Sequence, residues 1–472
     1  MFFRQILHED LGCASYFVAD DGEAAVIDPK WEIDEYLVLA RETGSRILHI
    51  LETHNHADHV SGRRRLAEAS GARIHLPADP GRPEEGGRPR DASEQPTLVR
   101  SILDGETVRV GRLRLQAIAA PGHRPEHLAF AVLAPGQDTP SHLLSGDSLL
   151  VGGVARPDLA VEARAGADAM FDTLRRFQTL DDEVELWPAH VGGSLCGSTS
   201  LTSATSSTIG QERQANPLFS VVDRTQFVTE VTAHMPTRPP RVDRVVELNL
   251  TGAESPAPPA RLGYDALHGL LREGAAVLDV RDPDTFDQGH LQGSLNLTPA
   301  SQGLGNRAGW ATRPEEPIVL VAESFELGQP FTQRLYAAGI WNVVGLAVAD
   351  PTRWGEAGLP VRSATAFTPA QVAEGIVGGE LALIDVRDRG EYEVESIEAS
   401  LHLPLSELAD GSEVGLPRDQ PFAVACAAGA RGALAASVLQ RAGYPLIRRM
   451  TGGIPDLARL LPDFALQVRS LS

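Results

Sequence analysis

Short apolar runs broken by turn residues set the rhythm of the chain from Met1 to about Leu250. "YFVAD" (16–20) and "AAVIDP" (24–29) predict strands, "WEIDEYLVLARETG" (31–44) predicts a helix, and "ILHILETH" (47–54) predicts a strand that runs into a polar turn. Pro77 to Pro96 is polar and proline-rich, but the apolar pattern resumes after it, so a surface loop is expected there. Thr251 to Ala260, "TGAESPAPPA", has little to bury and marks a linker. Beyond it the pattern repeats. "AVLDVRDPDTFDQGHLQGSLNL" from Ala276 aligns without a gap onto "ALIDVRDRGEYEVESIEASLHL" from Ala382. Each copy has an apolar run ending in Asp-Val-Arg, a helical stretch, and a second apolar run, "PIVLVA" (317–322) or "PFAVAC" (421–426). That alternation predicts α/β units with parallel sheets. A second boundary falls at Pro360 to Ala366, giving expected domains of 1–250, 261–362 and 363–472.

Length agrees with this division, since 472 residues at about 150 per domain predict about three domains. Composition narrows the partners. Asp and Glu outnumber Lys and Arg by 63 to 42, a net charge of −21, which excludes a role built on phosphate neutralisation and hence nucleic acid. The start "MFFRQILHEDLGCASYFVAD" lacks the features of a signal peptide, and no later stretch is long and apolar enough to span a bilayer, so a cytoplasmic protein without a membrane partner is expected. Cys13, Cys196 and Cys426 are too few and too scattered for a disulfide framework. Each is therefore a candidate reactive thiol.

The candidate chemistry begins at "LETHNHADHVSG" (51–62), where His54, His56, Asp58 and His59 crowd one turn after a strand. Imidazole with carboxylate suits zinc, iron or manganese better than calcium. His123 in "APGHRPEH", Asp147 in "LLSGDSLL" and His190 in "LWPAHVGGSLCG" each follow an apolar run, where strand ends present ligands. In this ordered set the sequence resembles the metallo-β-lactamase superfamily, which implies an αββα sandwich with a metal site along one edge. Most members of that superfamily hold two zinc ions and hydrolyse esters, thioesters, amides or phosphodiesters. A smaller group uses one iron to insert dioxygen into a persulfide, and "GCASY", "THNHADHVSG", "PGHRPEH", "GGVARPDL", "PAHVGGSLCG" and "STIGQERQANP" together look like those persulfide dioxygenases. The resemblance implies one Fe(II) per chain on His54, His123 and Asp147, with His56, Asp58, His59 and His190 as hydrogen-bonding supports in the second site. A second zinc site on those four residues stays open, because nothing in the sequence forbids zinc. The resemblance also matches Arg156 to the arginine that meets the thiol carrier. Arg124 stands where the family has a small hydroxyl residue, and adds a charge beside the metal site.

In the second repeat, "LIDVRDRGEYE" and "VACAAGARG" resemble the rhodanese sulfurtransferases, in which a cysteine ends a strand and opens a loop of converging N–H groups. Cys426 would carry the persulfide and Arg431 would close the loop. The first repeat has Ala322 at the cysteine position with Glu323 beside it, so residues 261–362 are expected to be catalytically silent. The repeats also differ at His290, which faces Ser396. An αββα sandwich followed by two rhodanese-like α/β domains with parallel sheets resembles persulfide dioxygenase–rhodanese fusions. That implies oxidation of a small thiol persulfide, such as glutathione persulfide, by O2 to sulfite, and sulfur transfer at Cys426 that converts sulfite to thiosulfate. A homo-oligomer is expected. Cys196, in the glycine-rich loop after His190, is expected near the metal as a second thiol for substrate. Two other functions stay open: a glyoxalase-II-like thioester hydrolase with two zinc ions, and a sulfur carrier or scaffold.

Overall fold

The computed structural model describes residues 1–8, 10–78, 99–191, 204–233, 235, 238, 240–252, 254–299, 303–398, 400–409 and 415–461. Most of the expected loop between Pro77 and Pro96 and the whole neighbourhood of Cys196 lie outside them. The chain divides into a first compact unit over Met1–Ser255 and a second that begins at Pro256.

The first unit is built on two six-stranded sheets. One runs in chain order through Phe2–His8, Cys13–Asp20, Glu23–Ile27, Arg46–Leu51, Arg73–Pro77 and Val99–Ile102, antiparallel over its first three strands and parallel thereafter. The other is ordered Ser207–Thr208, Glu185–Pro188, His142–Gly146, Leu128–Leu133, Leu113–Ala119, Thr107–Val110. Strand alternation decides the layers. Tyr16, Val18, Ile27 and Leu51 of the first sheet meet Val110, Leu115, Phe130 and Val132 of the second in one core. Their neighbours Phe17, Val26, Ile50 and Ile74 face the other way, onto Tyr36, Leu39 and Leu66 of the helices Asp34–Glu42 and Arg63–Ser70. On the far side, Ala129, Leu143 and Leu186 pack against Met170, Leu174 and Phe177 of the helix Ala163–Phe177. The order is helix, sheet, sheet, helix. Cys13–Asp20 and Leu128–Leu133 are buried on both faces, which is why they read as nearly unbroken apolar runs.

The second unit contains two five-stranded parallel sheets with the same connectivity. The first is ordered Ala260–Arg261, Val343–Val348, Ile318–Ala322, Ala276–Asp279, Leu295–Asn296. The second is ordered Ala366–Phe367, Ile447–Met450, Phe422–Ala425, Ala382–Asp385, Ser400–His402. The repeated Asp-Val-Arg has the same structural role in both. Arg281 and Arg387 fold back onto Asp279 and Asp385 at 2.6 and 2.7 Å, and donate their remaining N–H to the carbonyls of Gly289 and Glu395. Both ion pairs are buried, so each charge needs its partner. Between the repeats, Arg449 pairs with Asp284 and Asp287, and the Asn296 N–H donates to Ser437 Oγ at 3.0 Å.

Candidate metal centre and cysteine loop

His54, His123, Asp147 and His190 all follow the C-terminal ends of strands, and the sheets bring those ends together. His54, His123 and Asp147 each offer one ligand-type atom, and these atoms lie within 4.8 Å of one another with all three residues buried. His123 Nε2 is 3.4 Å and His54 Nε2 3.8 Å from Asp147 Oδ2. The far ring nitrogens set the tautomers. His123 Nδ1 donates to the Arg156 carbonyl at 2.7 Å. Thr53 Oγ1 gives its proton to Asp28 Oδ2 at 2.8 Å and therefore accepts from His54 Nδ1 at 2.9 Å. Both Nε2 lone pairs are left to face the centre. Burial and the neighbouring imidazoles hold His54 well below the usual histidine range, and burial lowers His123 as well. Burial works against the Asp147 charge, but His190 and His123 hold its carboxyl below the usual range. Two neutral imidazoles and a carboxylate result.

These atoms fit a metal ion for a further reason. His54 Nε2, His123 Nε2 and Asp147 Oδ1 are buried without a hydrogen-bond partner. Orphaned buried polar atoms are costly unless something binds them. Calcium is disfavoured by the two imidazoles, whereas iron and zinc both accept this donor set.

The rest of the histidine turn is held differently. His56 Nε2 lies 3.2 Å from Asp28 Oδ1 and 3.0 Å from Glu52 Oε2, so its outer nitrogen is claimed by carboxylates. Burial opposes its charge, yet Asp28 and Glu52 together raise it well above the usual histidine range. Ser61 Oγ donates to Glu52 Oε1 at 2.5 Å. Asp58 gathers Cys13 Sγ at 2.8 Å, His59 Nδ1 at 3.2 Å and His190 Nε2 at 3.4 Å, and His190 Nε2 also reaches Asp147 Oδ2 at 3.1 Å. Burial and Asp58 raise the Cys13 thiol well above its usual range, which keeps it protonated as the donor to Asp58. Cys13, Asp58 and His190 form a second group of ligand-type atoms within 4.8 Å.

Sequence reasoning named the histidines of this cluster but not Asp28, Glu52, Thr53 or His127. His127 Nε2 accepts the Asp147 N–H at 2.8 Å, and burial lowers this histidine to about 3, so it stays neutral and acts as an acceptor. Gly146 has φ +57°, and a Cβ there would lie 2.5 Å from His127 Nε2 and 2.9 Å from Thr53 Cβ. Glycine thus lets Asp147 approach its supports. Each missed polar residue sits at a strand end or beside a named histidine, which is a usable but weak signal. Arg156 contributes through its backbone. Its guanidinium is buried and paired with Asp158 at 2.7 and 2.8 Å.

In the second unit, Cys426 follows the strand Phe422–Ala425 and is buried. Gly429, at φ +96°, turns its N–H onto Cys426 Sγ at 3.1 Å and opens the helix Ala430–Arg441. A thiolate there would meet a converging N–H and a helix N-terminus. Arg431 closes the loop by donating to Glu391 at 2.5 and 2.7 Å and to Asp388 at 3.3 Å. The sheet register fixes the equivalence of the repeats. Asp279 pairs with Val321 and Asp385 with Ala425, so the next residues, Ala322 and Cys426, occupy the same place.

Residues 8–190 match the family model of the metallo-beta-lactamase superfamily, and residues 264–347 and 368–459 match that of the rhodanese-like domain. The chain is 32% identical over 172 residues to a hydroxyacylglutathione hydrolase of Cereibacter sphaeroides, covering 36% of this chain and 59% of that protein. A hydroxyacylglutathione hydrolase of Rhodobacter capsulatus is 31% identical over 189 residues, covering 39% of this chain and 60% of that protein. The chain therefore spans about three-fifths of the length of these curated relatives. Among solved structures, a metallo-beta-lactamase from Staphylococcus aureus subsp. aureus COL aligns with a TM-score of 0.64 at 27% identity, over 74% of this chain and 99% of that one. ETHE1 from Myxococcus xanthus aligns with a TM-score of 0.44 at 27% identity, over 54% of this chain and 100% of that one.

Proposed function

We propose that this chain, a metallo-β-lactamase domain followed by rhodanese-like domains, oxidises a low-molecular-weight persulfide with O2 and passes sulfane sulfur through Cys426. The balanced reaction is R–S–SH + O2 + H2O to R–SH, sulfite and two protons. His54, His123 and Asp147 would hold a single Fe(II). When bound, that ion supplies open positions at which a persulfide anion and O2 can be brought together. The observation that carries this reading is the split fate of the histidine turn: His54 keeps a bare Nε2, whereas His56 Nε2 is engaged by Asp28 and Glu52. Two histidines and a carboxylate then offer bare atoms to one ion, while His56, whose Nδ1 is also without a partner, belongs with Asp58 and His59 in the neighbouring group. Around them, Thr53 and the Arg156 carbonyl orient the imidazoles, and His127 fixes the Asp147 backbone.

On the rhodanese side, a persulfide on Cys426 would have its outer sulfur attacked by sulfite. The S–S bond breaks, thiosulfate leaves, and the Cys426 thiolate is received by the Gly429 N–H. The first repeat, with Ala322 in that place, performs no transfer. A second reading rests on Cys13, Asp58 and His190, whose convergence favours a second ion, zinc by preference, and hence thioester hydrolysis like that named for the curated relatives. Metal analysis of anaerobically purified protein, with O2 uptake on glutathione persulfide and hydrolysis of S-lactoylglutathione, separates the two. The sulfur-carrier alternative predicts neither turnover.

A further inference from the structure

Arg124 and Glu126 stand on the loop that carries His123, and each side chain is only half engaged. Arg124 Nε donates to Glu126 Oε1 at 2.6 Å, and the same oxygen accepts the Asn55 N–H at 3.2 Å. Because Asn55 follows His54, this carboxylate ties together the residues next to two of the three proposed ligands. The side chains are 11% and 14% exposed. Among the described residues, neither terminal amino group of Arg124 nor Glu126 Oε2 makes a hydrogen bond. An ordinary surface ion pair is solvated and contributes little. This one is mostly withdrawn from water, but its unengaged Nη groups and Oε2 are not fully buried and so stay accessible to an arriving ligand. A guanidinium offers two edges to carboxylates. Glu126 takes the Nε edge, which leaves the edge formed by both Nη groups for a second carboxylate. Glu126 Oε2, the other oxygen of the same carboxylate, suits a cation.

We propose that Arg124 and Glu126 read a zwitterionic α-amino-acid head group, so that the carrier thiol is a free amino acid such as cysteine rather than a peptide thiol such as glutathione. The proposal rests on the persulfide reading and deepens it. In a cysteine persulfide the ammonium and the carboxylate share the carbon next to the CH2–S group. Within the triad, His123 then shares its loop with Arg124 and Glu126, so sulfur and head group are served by neighbouring residues. In glutathione the same carbon bears two uncharged amides, and its charged ends lie several bonds further away.

The test is anaerobic calorimetry on the iron-loaded full chain with cysteine, cysteamine (no carboxylate), 3-mercaptopropionate (no ammonium) and glutathione. Cysteine is expected to bind at least roughly tenfold more tightly than each of the others, as one well-placed charged hydrogen bond would give. Arg124→Gln should bring the cysteine-to-cysteamine ratio to about one, and Glu126→Gln the cysteine-to-mercaptopropionate ratio, with iron content checking that both variants hold the site. Affinities within about twofold across the four thiols in the unaltered protein, or a uniform loss in both variants, would overturn the proposal. O2 uptake on the matching persulfides separates it from the reading it rests on. Selective binding without O2 uptake removes the dioxygenase and keeps the head-group site; uptake without selectivity does the reverse.

Discussion

The two rhodanese-like repeats share a scaffold and differ in a few residues of one loop. Both place an apolar strand at the centre of a five-stranded parallel sheet, and both lock the adjoining strand with a buried Asp-Val-Arg pair. In one, the central strand runs into Cys426, followed by small residues, a left-handed Gly429 and Arg431 held by Glu391. In the other it ends in Ala322, followed by Glu323, and Leu327 stands 55% exposed at the position of Arg431. The lesson is that stability and chemistry occupy different residues of the same unit. The Asp-Val-Arg motif, which looks most like a signature, is the structural part.

The largest effect expected from this comparison is loss of sulfur transfer. Cys426→Ser should abolish transfer from a persulfide or thiosulfate to an acceptor, because a hydroxyl forms no persulfide, while O2 consumption persists on the other unit. Equal loss of both activities would show that the two chemistries are obligatorily coupled. Next in size is the scaffold. Arg387→Met and Arg281→Met each strand a buried carboxylate and should destabilise their domains by about 3–5 kcal/mol in denaturant unfolding. A much larger effect in one repeat would mean that the motif differs in role between them. Arg431→Met should be milder, slowing transfer roughly tenfold by loosening the loop from Glu391; an unchanged rate would reduce Arg431 to a surface contact. Smallest is Ala322→Cys, which should create no transferase activity, since Glu323 would disfavour the thiolate and no arginine closes that loop. A rate matching that of Cys426 would end the assignment of a silent repeat.

The sequence made one half of this structure readable and hid the other. Strands such as Cys13–Asp20 and Glu23–Ile27, and the helix Asp34–Glu42, follow from local apolar pattern, and so does the repeat. His54, His56, Asp58 and His59 are visible because four ligand-type residues crowd one turn. What that turn does with them is not local. Asp28, which takes the Thr53 hydroxyl and His56, is 25 residues from Thr53 and looks like any strand-terminal aspartate. Cys13 sits 45 residues from Asp58, so its place beside that carboxylate is visible only once the fold closes. Arg156 is the opposite case. Its position in "ARPDL" is legible, but that its carbonyl orients His123 while Asp158 takes its guanidinium depends on side-chain direction, which spacing does not encode.

The central claim is that the triad holds one iron and activates O2 for a persulfide. It is tested most directly by counting metals on anaerobically purified protein and measuring O2 uptake on the same sample with a persulfide substrate. About one iron per chain, O2 consumed in proportion to sulfite plus thiosulfate, and loss of both iron and uptake in His123→Ala is the predicted result. About two zinc ions per chain, with S-lactoylglutathione hydrolysed and no O2 consumed, would contradict it.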